Sequence, residues 1–300
     1  MTSDSTLRVG TRGSALARWQ AEHVQSRLAA RGQNCELTIV RTEGDRRTDV
    51  PLASIGGKGL FTQDIESRLL DHTLDCAVHS LKDVPSALPP GLVLAATLER
   101  DDPRDALIAA PGTSFNQLPR GARLGTSSLR RQAQALALRP DLHCENIRGN
   151  VDTRLRRWRE GDFDALLLAA AGLRRLGLAD VIAEYLEPDA FCPSAGQGVL
   201  ALECRADDAA TLAALAPLNH APTASAITAE RALLLKLNCG CESPVGAYAR
   251  WHSGQLQLSA VVASPDGTCV VRHRASGLEP ESLADGVAAY LLAHGARELL

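Results

Sequence analysis

From residue 7 to residue 175 the chain alternates short apolar runs with stretches of helical periodicity, and no other feature narrows its fold as much. Residues 7–10 read as a strand. Ser14 can cap a helix that carries Ala17, Ala21, Val24 and Leu28 on one face and ends at Gly32. Residues 36–42 read as a second strand, and Gly56-Gly57-Lys58-Gly59 opens a helix with Phe61, Ile65 and Leu69 spaced by four. Residues 75–79 form a short buried strand. After Pro103 the pattern resumes. Strands are expected over 106–110, 123–124, 142–147 and 165–169, with a helix from Ser128 to Leu138 stopped by Pro140 and another capped by Asp152 and ending at Gly161. Such alternation predicts an α/β fold with parallel sheets covered on both faces. Two doubly wound units of this kind meet in a cleft, with ligands at the carboxyl ends of the strands. Beyond about residue 220 the pattern changes to a long helix over 224–237, strands over 255–263 and 269–275, and a final helix over 281–292, which predicts a smaller α+β domain.

A chain of 300 residues has room for two or three such domains. Its 45% hydrophobic and 22% charged residues are ordinary for a soluble globular protein. No apolar run is long enough to span a bilayer, and the first ten residues contain no signal-peptide core. A cytoplasmic location is therefore expected, with the eight cysteines mostly reduced. The net charge of −3 argues against a general nucleic-acid or membrane binder. Arginine supplies 29 of the 32 basic residues; the lysines are Lys58, Lys82 and Lys236.

The chemistry-bearing motifs sit mainly where strands pass into helices. Arg12-Gly13-Ser14 offers a guanidinium and a hydroxyl at a helix start, which suits an anion, although Ser14 reads equally as a simple cap. Gly57-Lys58-Gly59 resembles a phosphate loop but lacks the earlier glycine, and Gly59 stands where a magnesium-binding hydroxyl should be. It reads as a hinge or lid. Lys82-Asp83 follows a buried strand, and the motif alone does not separate a held carboxylate from a turn aspartate. In Gly125-Thr126-Ser127-Ser128-Leu129-Arg130-Arg131, two arginines occupy a first helical turn where the helix dipole disfavours them, so an anionic partner is expected. Arg148-Gly149-Asn150-Val151-Asp152-Thr153-Arg154 repeats the device, and Arg174 and Arg175 follow the next strand. Doubly wound topology brings these turns to one sheet edge, which predicts a site for several carboxylates or phosphates. Cys239-Gly240-Cys241 has no companion ligands at zinc spacing, so no metal is expected. A nucleophilic thiol and a structural thiol both remain open.

Taken in order, these motifs resemble one family. Thr11-Arg12-Gly13-Ser14, Val78-His79-Ser80-Leu81-Lys82-Asp83-Val84-Pro85, the Gly125–Arg131 and Arg148–Val151 segments, Pro193-Ser194-Ala195-Gly196-Gln197-Gly198, and Glu230-Arg231 with Cys241, Pro244 and Gly246 together are similar to the porphobilinogen deaminases (hydroxymethylbilane synthases) over essentially the whole chain. The resemblance implies two periplasmic-binding-protein-like doubly wound domains around a cleft plus a smaller α+β C-terminal domain. The expected boundaries are 1–99 with 198–217, 100–197, and 218–300.

It also implies a transferase of tetrapyrrole and haem biosynthesis that deaminates four porphobilinogens and joins them into hydroxymethylbilane. The reaction is primed by one dipyrromethane held through a thioether to Cys241. Asp83 is then the catalytic carboxylate. Cofactor contacts are implied for Ser80, Lys82, Asp83, Thr126, Ser128, Arg130 and Arg131, and substrate contacts for Arg12, Ser14, Arg148, Arg154 and Arg175. Porphobilinogen is the implied partner, with a monomer and no nucleic acid or membrane. The chain departs from the family pattern at Cys239, where a small residue is usual, and at Ser243. The Cys-x-x-Pro-x-Gly frame still selects Cys241. The competing reading is a non-catalytic two-domain anion-binding protein, which would use the arginines and need neither Asp83 nor Cys241.

Overall fold

The computed structural model describes residues 6–46, 59, 61–240 and 243–300. In chain order these form β1 (Leu7–Arg12), α1 (Ala15–Ala29), β2 (Cys35–Val40), α2 (Gln63–Leu70), β3 (Cys76–Ser80), β4 (Leu92–Thr97), β5 (Asp105–Ile108), β6 (Arg123–Gly125), α3 (Leu129–Leu138), β7 (His143–Glu145), α4 (Val151–Arg159), β8 (Ala165–Ala169), α5 (Ala170–Arg175), β9 (Glu184–Leu186), β10 (Leu200–Arg205), α6 (Ala209–Leu215), α7 (Ala221–Lys236), β11 (Val245–His252), β12 (Gln255–Ala263), β13 (Val270–Gly277) and α8 (Pro280–Ala293). Two compact units result: Met1–Arg100 with Val199–Ala224, and Asp101–Gly198 with Ser225–Leu300.

In the first unit the strand order is β2-β1-β3-β10-β4. The Ser14 side chain accepts the Ala17 amide at 3.2 Å, so α1 starts where the sequence places its cap. Its buried face, with Ala21, Val24 and Leu28, joins Val9, Val78 and Leu202 in one core on the sheet. A second core places Ile65 and Leu69 of α2 against Ala77, Val40 and Leu92. Each of these fully buried aliphatic side chains contributes about 2 kcal/mol.

The second unit has the order β7-β6-β8-β5-β9. Leu107, Leu124 and Leu167 join Phe191 in one core, while Ile108, Leu155, Leu166 and Leu168 form another. The alternation along β5 and β8 divides these residues between the two sheet faces. The same unit holds a three-stranded antiparallel sheet, β11-β12-β13, whose core includes Leu233 of α7 and Val287 and Leu291 of α8.

Both large sheets are mixed rather than wholly parallel. β10 runs antiparallel to β3 and β4, and β5 runs antiparallel to β8 and β9. The parallel expectation fails at β5 and β10, the strands that run against their neighbours, because neither is joined to a sheet neighbour through a strand–helix–strand unit. Two helix starts also differ from the sequence reading. Asn150, not Asp152, is the N-cap of α4, and α2 begins at Gln63 behind Thr62. The 142–147 strand shortens to His143–Glu145.

Candidate functional site

In the first unit, β3 ends at Ser80 and passes into a single 3₁₀ turn, Leu81–Asp83. Leu81 is buried, its amide donates to the Val199 carbonyl at 3.0 Å, and the Val84 amide donates back to the Leu81 carbonyl at 3.0 Å. This anchoring fixes the half-buried Asp83 at the end of the strand. Asp83 shares a pocket with Arg12, Ser14, Gln20, Phe61, His79 and Ser80. The Arg12 guanidinium lies over the Phe61 ring, 4.1 Å from its centroid. Gln20 and Ser80 bond to each other, the amide donating to the hydroxyl at 2.9 Å. Among the described residues the Asp83 carboxylate takes no hydrogen bond and no ion pair. The pocket therefore offers an unpaired acceptor beside a cation and neutral donors, the complement of a heterocyclic N–H that carries acidic substituents.

In the second unit, β6, β7 and β8 are parallel, so the segments that follow them leave from one sheet edge. Gly125 is required there: a Cβ at this position would meet Leu166 Cδ2 at 2.6 Å. The Thr126 amide donates to the Glu145 carbonyl at 2.9 Å, Thr126 Oγ1 accepts the Ser128 amide at 3.2 Å, and Ser128 caps α3. Beyond β7, Gly149 has φ +106°, a conformation that suits glycine. Arg154 Nε donates to the Gly149 carbonyl at 2.8 Å. Arg148 Nη1 is buried without a hydrogen-bond partner among the described residues. A guanidinium nitrogen left in that condition suits an incoming anion. After β8, Arg175 donates to the Gly198 carbonyl at 2.7 Å and approaches Asp101 at 3.4 Å, a carboxylate that Arg174 also approaches.

Arg130 and Arg131 correct the dipole argument, because their anion is internal. Arg130 Nη1 lies 2.6 Å from Asp105 Oδ2, and Arg131 Nε lies 2.8 Å from Asp105 Oδ1. Gln197 adds a 3.0 Å hydrogen bond to the same carboxylate. Burial alone would raise the Asp105 pKa, but the two guanidiniums outweigh it and hold the carboxyl well below its usual range. Sequence reasoning missed Asp105 because it sits inside an apolar strand away from every motif. Its signal was the unanswered charge of the arginine pair. Glu230, part of the last signature, is also structural. It is buried, and its two oxygens accept the Gly196 amide at 2.8 Å and the Ala249 amide at 2.7 Å.

Cys241, Gly57 and Lys58 lie outside the described residues. Gly59 is described, with φ +88°, and its carbonyl accepts the Thr62 and Gln63 amides at 2.8 and 2.9 Å. Cys239 packs against the C-terminal core, and its Sγ is 3.7 Å from the Leu234 carbonyl. Burial pushes its thiol pKa up to about 12, so it is protonated and a poor nucleophile at neutral pH. Among the described residues, no helix is long and apolar enough to cross a membrane.

Comparison with known proteins gives these groups a context. A family model described as porphobilinogen deaminase, dipyromethane cofactor binding domain, matches residues 7–213, and one described as porphobilinogen deaminase, C-terminal domain, matches residues 224–293. The porphobilinogen deaminase of Syntrophotalea carbinolica is 51% identical, with 99% of this chain and 96% of the relative covered. That of Trichlorobacter lovleyi is 51% identical, with 98% and 95% covered. Among solved structures, an ABC transporter periplasmic substrate-binding protein from Coxiella burnetii is 16% identical, with 72% and 93% covered and a TM-score of 0.45. Two family domains in order and half the residues shared over nearly the whole length lead to one conclusion: the chain belongs to the porphobilinogen deaminase family.

Proposed function

We propose that the pocket around Asp83 is where porphobilinogen reacts, and that Cys241 holds the dipyrromethane. As a member of its family the chain is a transferase of tetrapyrrole biosynthesis that condenses four porphobilinogens into hydroxymethylbilane and uses a dipyrromethane cofactor. The donor set fits that cofactor. A two-ring pyrrole with acidic side chains wants an acceptor for its N–H groups and cations for its carboxylates: the first unit offers Asp83, which takes no hydrogen bond among the described residues, beside Arg12, and the second unit offers Arg148, whose buried Nη1 has no hydrogen-bond partner among the described residues. When bound, the cofactor supplies an electron-rich ring carbon.

The residues then divide the work. Asp83 accepts the substrate's pyrrole N–H and stabilises the positive charge that develops on that ring as ammonia leaves. It also holds the ring in line for carbon–carbon bond formation. Arg12, Arg148, Arg154 and Arg175 pair with acetate and propionate groups, with Ser14, Ser80 and Lys82 as further donors. Thr126 and Ser128 present hydroxyls at the start of α3. Arg130 and Arg131 hold that turn through Asp105 and leave one positive charge in excess, which favours an acidic ligand nearby. Gly57, Lys58 and Gly59 act as the hinge or lid. Cys241 is the attachment point, since Cys239 is half-buried against the C-terminal core with its thiol pKa raised by burial. The enzyme works as a cytoplasmic monomer on a small-molecule substrate, without nucleic acid.

The observation that carries this reading is the Asp83 carboxylate, without a hydrogen bond or ion pair among the described residues, in a pocket of donors. Intact mass under denaturing conditions tests it. The purified chain is expected to be heavier by one dipyrromethane, with the excess on the peptide containing Cys241. An unmodified chain that binds polycarboxylates would favour the anion-binding alternative.

A further inference from the structure

Beneath the Asp83 pocket lies a second group of ionisable side chains that the proposed function does not use. Glu203 of β10 stands opposite Ala77 of β3, and cross-strand partners project to the same face of a sheet. His79 is two residues along from Ala77, so it shares that face. The Ala77 face is the one covered by α2, which carries Glu66. All three side chains are buried, with residue exposures of 4% for Glu66, 5% for His79 and 0% for Glu203.

His79 Nε2 lies 3.0 Å from Glu203 Oε2, close enough for an ion pair but not aligned as a hydrogen bond. Glu66 Oε1, His79 Nε2 and both Glu203 oxygens are buried without hydrogen-bond partners among the described residues. Burial raises the Glu66 pKa, the Thr62 hydrogen bond opposes this, the Glu203 charge adds to it and His79 lowers it. Two carboxyl groups and one imidazole, each with at least one buried polar atom left without a hydrogen bond among the described residues, are placed to pass a proton between them. His79 also lines the pocket that contains Asp83, and its pairing with Glu203 through Nε2 leaves Nδ1 uncommitted.

We propose that Glu66, His79 and Glu203 form a buried proton relay that opens into the Asp83 pocket through the His79 ring, takes up the proton released at each condensation and returns it through His79 when water re-enters the pocket. This rests on the reading of that pocket as the reaction site. The stoichiometry demands such a proton. As porphobilinogen reacts with its aminomethyl group protonated, the bond from the aminomethyl carbon to the ammonium nitrogen breaks and the electron pair leaves with ammonia. A carbon–carbon bond then forms to the free ring carbon of the preceding pyrrole, and the C–H bond there breaks, its electrons restoring the ring. One ammonia and one proton leave per addition, together one ammonium ion, with no oxidant or reductant. When the substrate fills the pocket and displaces water, a protein route serves the proton. His79 receives it at the pocket side as Glu203 accepts the proton on Nε2, and Glu66 exchanges with Glu203; the transfers reverse through His79 once water refills the pocket, which resets the relay for the next addition.

The charged groups around the relay come from every packed element: Glu66 from α2, Glu203 from β10, Arg12 from the end of β1 and Asp83 from the turn after β3. Arg205, two residues after Glu203, is engaged with the Leu69 and Leu74 carbonyls and with Asp208.

The test compares His79→Gln, Glu203→Gln and Glu66→Gln in the cofactor-loaded enzyme. The expected result is a fall in kcat of about a hundredfold for the first two, KM within about twofold, and a changed shape of the kcat–pH profile. Rapid quench should show ammonia release at the wild-type rate with delayed completion of the new bond. Infrared difference spectra of the resting protein supply a readout independent of turnover: a carboxyl band that titrates at higher pH than an exposed glutamate and that Glu66→Gln abolishes. Wild-type kcat and pH profile in all three variants would overturn the relay. So would losses in kcat that merely follow losses in thermal stability or cofactor mass, with an unchanged profile. If Glu203→Gln does not fold, His79→Gln and the Glu66 infrared band decide the question. Failure of the pocket assignment itself is separate, because Asp83→Asn would then retain turnover whatever the relay variants do.

Discussion

Two clusters of buried charge, one in each unit, are held in opposite ways. In the second unit Asp105 is surrounded by Arg130, Arg131 and Gln197, every contact between 2.6 and 3.2 Å, so each of its oxygens is satisfied within the protein. In the first, Asp83 has no partner among the described residues, and His79, Glu66 and Glu203 crowd together with orphaned atoms. A satisfied cluster gives a fixed local structure. An unsatisfied one costs stability and persists where a ligand or a travelling proton uses it. The same residue types thus build one region and operate the other.

The contrast can be broken most severely at Asp105. Replacing it with asparagine leaves two buried guanidiniums against a neutral amide, and the expected loss is about 3–5 kcal/mol of folding stability. Chemical denaturation of matched samples measures it. A loss below about 1 kcal/mol would mean that the arginines already find other anions. Asp83→Asn should do the reverse, keeping the denaturation midpoint and the cofactor mass while turnover falls about 10²- to 10³-fold. Turnover near wild type would remove Asp83 from its role. Arg148→Leu sharpens the comparison further. Its buried Nη1 makes no hydrogen bond among the described residues, so stability should hold or rise slightly while KM for porphobilinogen increases about tenfold. A destabilised Arg148→Leu protein with unchanged KM would make this arginine a structural group.

Much of this was legible in the residues, for definite reasons. Ser14 capped its helix because the cap hydroxyl and the apolar spacing that follows are local signals. The common edge of the Thr126, Arg148 and Arg174 turns followed from three parallel strands, a rule of topology rather than of contact. β10 was not legible as a strand of the first sheet. It returns from far along the chain and pairs antiparallel between β3 and β4, and nothing local in Leu200–Arg205 announces its neighbours. Asp105 and Glu203 were missed on the same ground. Each is a lone acid in an apolar strand, and only the fold reveals what lies beside it. The arginine pair at the start of α3 gave half of the answer: the dipole argument called correctly for an anion but could not say that the anion was internal.

The smallest expected effect is also the most direct measure of the difference between the two regions, because they should titrate in opposite senses. Asp105 has a folded pKa below its ordinary value of 3.8, so its contribution is complete above that pH and is lost as pH falls toward the folded value. Glu66 has a folded pKa above its ordinary 4.5, so the folded state binds the proton more tightly. Its contribution is complete below 4.5 and is lost as pH rises through the folded value. The stability gap between wild type and Asp105→Asn should therefore shrink on acidification below pH 3.8. Glu66→Gln should gain on wild type as pH rises above 4.5, because a neutral amide has no proton to lose. Urea titrations of the three proteins between acid and neutral pH test both signs at once. Parallel curves for wild type and Glu66→Gln would show that Glu66 releases its proton as freely as an exposed carboxyl, and the contrast between a closed and an open charge cluster would then rest on Asp83 alone.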